Sequence, residues 1–214
     1  MELESAAEFS FRKTPADLAG LQAALRKTLA AAGPRPAPGD HRRILNLACG
    51  RADETGVLAD VLGAGSASLE LVCSDLRPRE IAEARERWDQ RGHPAVETRF
   101  IAEDATRLFD RHALPEEFDV AFLRHQNFWN GPELWSGIFD RALQRLDEDG
   151  LLVITSYFDH EHALACEALE GLGAHRVASH RNPASRRLRD APGKSVDRHL
   201  AVFRKAREIR TPGS

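Results

Sequence analysis

A chain of 214 residues, 42% hydrophobic and 29% charged, with a formal net charge of −3, is long enough for one well-buried domain with appendages. No apolar run approaches the roughly 20 residues of a membrane helix, and the opening Met1-Glu2-Leu3-Glu4-Ser5 is acidic where a secretory leader would be basic, so a soluble, cytoplasmic protein with no membrane partner is expected. Cys49, Cys73 and Cys166 show no metal-ligand spacing, and their odd number argues against a disulfide framework, which leaves them as small core residues.

Thr14-Pro15-Ala16-Asp17 has the form of a helix start, with Thr14 as N-cap and Asp17 reaching back. Leu18, Leu21, Leu25 and Leu29 then share one helical face, and Gly33-Pro34 ends the helix. The Pro-rich run 34–39 predicts an extended connector. This helix is either a structural cap or a lid over a site, and its sequence favours neither. Next, Arg43-Ile44-Leu45-Asn46-Leu47-Ala48-Cys49-Gly50 reads as a buried strand that turns at Gly50 into a helix through Val57, Leu58, Val61 and Leu62. Such a turn lets backbone approach a ligand closely and offers free N–H groups. A lone glycine is weak evidence, but Leu69-Glu70-Leu71-Val72-Cys73-Ser74-Asp75 ends a second strand on a carboxylate, 25 positions beyond Gly50. Nucleotide-binding α/β folds place the acid for ribose hydroxyls at about 20.

Pro78 opens a helix carrying Ile81, Ala84, Arg85 and Trp88 that ends at Arg91-Gly92, and a third strand covers residues 97–102. Asp104 follows, placed either to meet an adenine amino group or to cap the turn through Ala105 and Thr106. Phe118 to Leu123 is a fourth apolar run, and the polar and aromatic Arg124-His125-Gln126-Asn127-Phe128-Trp129-Asn130-Gly131 beyond it should face the same crevice as Gly50 and Asp75. A helix over 133–146 closed by Asp149-Gly150, a fifth strand over 151–155, and a helix that Asp159 caps and that runs to Gly173 follow. A sixth strand at 176–179 and a last one at 198–205 should pair antiparallel, because the link between them is short for a helical crossover. That link carries Arg181, Arg186, Arg187, Arg189 and Lys194 and looks exposed. From Arg176 onward lie eleven of the thirty Lys and Arg but three of the thirty-three Asp and Glu. A basic segment on an acidic body suits an anionic ligand or nucleic acid, though a solvated surface is its commoner meaning.

The succession Leu45-Asn46-Leu47-Ala48-Cys49-Gly50, Asp75, Glu103-Asp104-Ala105, Phe118-Asp119-Val120 and Asp149-Gly150-Leu151-Leu152 resembles the class I S-adenosylmethionine-dependent methyltransferases over residues 42–205. The resemblance implies an α/β, three-layer αβα sandwich with a seven-stranded, mostly parallel, Rossmann-like sheet whose last strand is antiparallel. It implies residues 1–40 as a helix and connector packed on the core, 41–206 as one cofactor-binding domain and 207–214 as a tail. The implied S-adenosylmethionine site comprises Asn46, Ala48, Cys49, Gly50, Asp75, Leu76, Asp104, Ala105 and Arg124. Arg124 and His125 fall where the family lines the methyl-transfer site, with Asn127, Phe128, Trp129 and Tyr157 toward the acceptor. Three positions depart from the pattern: Asn46 replaces the usual acid, and Ala48 and Ala52 replace glycines, which alanine suits if the backbone there keeps ordinary dihedrals. The family's Asn/Asp-Pro-Pro-aromatic motif is missing, so methylation of nucleic-acid bases by that route is not favoured.

Methyl transfer from a sulfonium needs alignment and exclusion of water more than a base. If a base acts, His125 is the first candidate, weighed evenly against a purely structural role. Phe128, Trp129 and Trp135 are candidate pocket walls or core. Asp159-His160-Glu161-His162 is read as structural, not metal-binding, since neighbours do not share a helical face. The expected acceptor is small or anionic. The rival readings are a methyltransferase-like protein with weak or no catalysis and a nicotinamide-dependent oxidoreductase, the latter disfavoured because Gly-x-Gly-x-x-Gly is absent.

Overall fold

Apolar residues at successive positions of one strand face opposite sides of a sheet, and in this protein both sides are covered. The computed structural model describes residues 14–33, 41–90 and 95–205. Its strands are β1 (His41–Leu47), β2 (Ser68–Asp75), β3 (Val96–Ala102), β4 (Phe118–Arg124), β5 (Leu146–Ser156), β6 (His175–Arg181) and β7 (His199–Arg204). They form one seven-stranded sheet in the order β3-β2-β1-β4-β5-β7-β6, with β7 antiparallel to both neighbours. This is the sheet that the resemblance implies.

Val120 and Phe122 of β4, with Leu151 and Val153 of β5, pack beneath α1 (Thr14–Ala31), α2 (Thr55–Leu62) and α3 (Pro78–Asp89). Their neighbours Ala121, Leu123, Leu152 and Ile154 pack beneath the single-turn α4 (Leu108–Arg111), α5 (Pro132–Gln144) and α6 (Asp159–Gly171). In α1 the buried side chains are Leu21, Ala24, Leu25, Thr28 and Leu29, while Leu18 is only half-buried, at the cleft. The three thiols are unpaired and buried in the core.

The site follows from register. Leu47 stands abreast of Ser74 on one side and Leu123 on the other, so the chain leaves β1, β2 and β4 at one level through Ala48, Asp75 and Arg124. Between β1 and β4 the strand order reverses, which is where a crevice opens in such sheets.

Three expectations change. Helix α5 stops at Gln144 and β5 starts at Leu146, so Asp149 and Gly150 do not close a helix. They lie in a bulge, between the Phe118↔Leu146 and Val120↔Leu151 pairs, where a Cβ on Gly150 would come within 2.9 Å of Leu146 Cβ. Asp17 at the start of α1 pairs with Arg186 of the β6–β7 link, Nη2 to Oδ2 2.5 Å. Asp159 is the first residue of α6, not its cap, and binds Arg198 at 2.7 Å and His199 at 2.6 Å. The link itself is exposed only in part: Arg187 pairs with Ser195, and Asn182, Ser195, Val196 and Asp197 are buried. The connector 34–39, the helix end at 91–92 and the tail 207–214 lie outside the described residues.

Candidate functional site

The turn after β1 is held from β2. Cys49 N–H donates to Ser74 O at 3.0 Å, and Gly50 N–H donates to Asp75 Oδ2 at 2.7 Å, so the acid and the glycine singled out in the sequence touch each other. Burial pushes the Asp75 carboxyl up, but hydrogen bonds from Arg77 and Gly50 outweigh it and hold the carboxyl below its usual range. Ala48 and Ala52 do not keep ordinary dihedrals: their φ values are +50° and +49°, the left-handed conformation that glycine takes without strain. Among the described residues, the other non-glycine positions of this kind are His125 (+59°) and Asp197 (+47°). All four belong to the cleft or its support, and strain of this kind collects at functional sites.

Beneath the cleft runs a buried polar chain. Asn46 Nδ2 donates to Glu54 Oε1 at 2.7 Å, while Asn46 Oδ1 is buried without a partner. Glu54 thus brings to the end of β1 the carboxylate that position 46 lacks. Its other oxygen lies 3.4 Å from Arg124 Nη1. Arg124 in turn grips Asp197 with two prongs, Nε–Oδ1 3.0 Å and Nη2–Oδ2 2.6 Å. Burial disfavours both charges, yet their mutual attraction dominates: the carboxyl lies far below its ordinary range and the guanidinium far above. Thr155 Oγ1 adds a 2.9 Å bond to Asp197 Oδ1.

His125 sits on this chain. The backbone N–H of Asp197 points at its Nε2, 3.0 Å away, which makes Nε2 an acceptor and places the ring's proton on Nδ1. Asp197 Oδ1 is also 2.9 Å from Nε2, but it is already taken by Arg124 and Thr155. Burial lowers the pKa of His125, with Arg124 acting in the same sense against Asp197, and keeps the ring neutral. The ring stacks on Tyr157 at 3.8 Å and 15°. Burial raises the Tyr157 hydroxyl to about 12.

The cleft has two lobes that meet at Ala48, Arg77 and His125. One, of about 320 Å³, is bounded by Leu76, Ala105, Leu134, Trp135 and Ile138, with Asp75, Glu103, Asp104 and Asn127 at its polar edge. Leu76 is 68% exposed although apolar, as a wall for a flat ring would be. The other, of about 340 Å³, has Cys49, Gly50, Glu54, Arg124 and Tyr157 below and Asp17, Leu18, Arg186 and Leu188 across it. An adenine-and-ribose ligand fits the first lobe chemically, an apolar slot with carboxylates at its edge.

The structure therefore brings Ala48, Cys49, Gly50, Asp75, Leu76, Asp104, Ala105, Arg124, His125, Asn127 and Tyr157 to one cleft. Asp104 also caps its turn, accepting from Thr106 N at 2.9 Å. Three candidates are placed otherwise. Asn46 lies under the loop, fully buried against Glu54. Phe128 is core, 5% exposed and stacked on Phe139. Trp129 is 50% exposed, leans on Phe158 and lines neither lobe. In the run at 159–162, His162 bonds Ser156 and Ser179, and Glu161 accepts from Tyr157 N. Sequence reasoning missed Glu54, Arg77 and Asp197. A carboxylate eight positions after Asn46 was a readable signal for the first, whereas nothing local marks Asp197.

No protein-family model and no curated protein sequence matches this chain. Solved structures do match by shape. A protein from Pyrococcus horikoshii OT3 superposes with a TM-score of 0.63 at 16% identity, covering 94% of this chain and 93% of the other. Magnesium protoporphyrin IX methyltransferase from Synechocystis PCC 6803, solved with bound S-adenosylmethionine, gives 0.62 at 14% identity over 96% and 86%. An rRNA methylase from Streptococcus thermophilus gives 0.55 at 17% identity over 84% and 93%.

Proposed function

We propose that this chain, which has the class I S-adenosylmethionine-dependent methyltransferase fold, transfers a methyl group from S-adenosylmethionine to a small acceptor held in the polar lobe. The observation that carries this reading is Asp75 at the end of β2, bonded to Gly50 and standing at the edge of an apolar lobe sized for a nucleoside. S-adenosylmethionine supplies a methyl already activated on a sulfonium, so the protein has to bind, orient and exclude water. With the cofactor bound, Asp75 would accept from its ribose hydroxyls, Leu76, Ala105 and Ile138 would hold its adenine, and Asp104 would serve the adenine amino group. The Ala48–Gly50 backbone would hold the methionine portion.

His125 and Tyr157 form the wall where the lobes meet. With Nε2 engaged by Asp197, His125 presents an N–H at Nδ1 instead of a free lone pair, so it orients the acceptor and does not take its proton. The acceptor is small because α1 and the β6–β7 link close over the lobe through Asp17 and Arg186. The anionic alternative has weaker support, since Arg186 is paired with Asp17 and Lys194 with Asp190.

Calorimetric titration with S-adenosylmethionine and S-adenosylhomocysteine, beside Asp75→Ala, tests the reading. Saturable binding that is lost in the variant is expected, followed by label transfer in an acceptor screen. No heat from the unmodified protein would favour the reading without catalysis, to which the strained Ala48 and Ala52 lend some support.

A further inference from the structure

Arg77 bridges the two lobes and closes over Asp75. A carboxylate has about four acceptor positions, and in Asp75 all of them are used. Oδ1 accepts from Arg77 N at 3.0 Å and Arg77 Nε at 2.9 Å. Oδ2 accepts from Gly50 N at 2.7 Å and Arg77 Nη2 at 3.4 Å. The guanidinium also covers the glycine, since a Cβ on Gly50 would stand 3.1 Å from Nη2. Yet this side chain is 60% exposed, against 6% for Asp75, and Glu80 holds its Nη1 at 2.6 Å. It is tethered at the rim, with a second carboxylate to keep it there when it lets go.

We propose that Arg77 sets cofactor affinity by competing with the ribose: its guanidinium occupies one acceptor position on each oxygen of Asp75, the two positions that a pair of ribose hydroxyls would take. The inference rests on the methyltransferase reading. The two backbone donors, Gly50 N and Arg77 N, stay in place throughout, so exchange of side chain for ligand leaves the carboxylate fully satisfied and the turn intact. Asp75 is never left bare in a site that is 5% exposed, which is the advantage over simple vacancy. Binding is weakened by the bonds that must be broken, and ligands without two vicinal hydroxyls cannot displace the guanidinium.

The test is titration of the full chain and of Arg77→Met and Arg77→Lys with S-adenosylmethionine and S-adenosylhomocysteine. Arg77→Met should bind both ligands on the order of tenfold tighter, the scale of a lost charge-assisted competitor, and Arg77→Lys should fall between it and the unmodified protein. A gain confined to the sulfonium ligand, with Arg77→Lys unchanged, would mean simple charge repulsion and would overturn the inference. Equal or weaker binding by Arg77→Met would overturn it while leaving the methyltransferase reading intact, whereas no binding by any of the three proteins removes both. A second measurement needs no variant to fold for its readout. The Nε–H of Arg77, observed by nitrogen-15 NMR in the unmodified protein, should lose its protection from exchange when S-adenosylhomocysteine is added. Protection that persists at saturation with ligand overturns the inference.

Discussion

His125 and Asp197 are 72 positions apart, and they meet with both backbones in the left-handed region, φ +59° and +47°, where the N–H of one donates to the ring of the other. Both are in a conformation that side-chain residues avoid, and Asp197 is held there by a buried ion pair with Arg124, the neighbour of His125. Removing one partner of a buried pair leaves an uncompensated charge, so Asp197→Ala should lower stability by about 3–5 kcal/mol in urea unfolding. Adding Arg124→Met should restore part of that loss. A decrease below about 1 kcal/mol, the range of exposed pairs, would show that solvent already screens this one.

Relief of backbone strain is the next test. Ala48→Gly and Ala52→Gly should each stabilise the protein by about 0.5–1 kcal/mol, the left-handed penalty of an L-residue less the extra chain entropy of glycine. Ala59→Gly, in right-handed α2, should destabilise it by a similar amount. If all three substitutions shift the denaturation midpoint downward, positions 48 and 52 are not strained.

Leu76 offers a separation of binding from folding. Because it is 68% exposed, Leu76→Ala should leave the unfolding midpoint within about 0.5 kcal/mol of the parent. S-adenosylhomocysteine should nevertheless bind several-fold more weakly by calorimetry, through loss of a wall of the apolar lobe. Unchanged affinity would move the adenine elsewhere.

Acid should loosen the fold early. Burial lowers the pKa of His162 to about 4, beneath an unfolded value near 6.5, so the unfolded chain binds more protons between those values. Its contribution is complete above about pH 6.5 and is lost as pH falls toward 4. Asp197, also depressed, withdraws its own contribution at lower pH, whereas the raised carboxyls of Glu80, Asp147 and Glu161 act in the opposite sense. The readout is therefore a difference: between pH 7.5 and 5, His162→Gln should lose less stability than the parent by about 1–2 kcal/mol. Parallel curves would place that ring in solvent.

Strand positions were legible because alternation and apolar runs report burial directly, as in Val120 to Leu123, whose neighbours divide between the two cores. Gly50 and Asp75 were legible as a pair because a tight turn and a strand-end acid are local features. Asp149 and Gly150 misled because an Asp-Gly pair marks a stop without saying whether a turn or a bulge makes it. The place of Arg124 at the end of the fourth strand was legible, but not its engagement, since both carboxylates that hold it come from distant segments. Phe128 and Trp129 are adjacent, yet one faces the core and the other solvent, a choice fixed by the short 3₁₀ turn Phe128–Asn130.

The sheet order has a consequence for the growing chain. Strand β7, the last in sequence among the described residues, slots between β5 and β6, and it brings Asp197 to Arg124 and, through the link before it, Arg186 to Asp17. Until that strand leaves the ribosome, Arg124 has its main counter-charge missing and the far wall of the polar lobe is not fixed in place by the link. A nascent chain can assemble β1 to β5 and most of both cores, but it cannot acquire a working cleft by halves. Strand β7 acts as a completion signal, tying competence of the site to synthesis of the chain through residue 204.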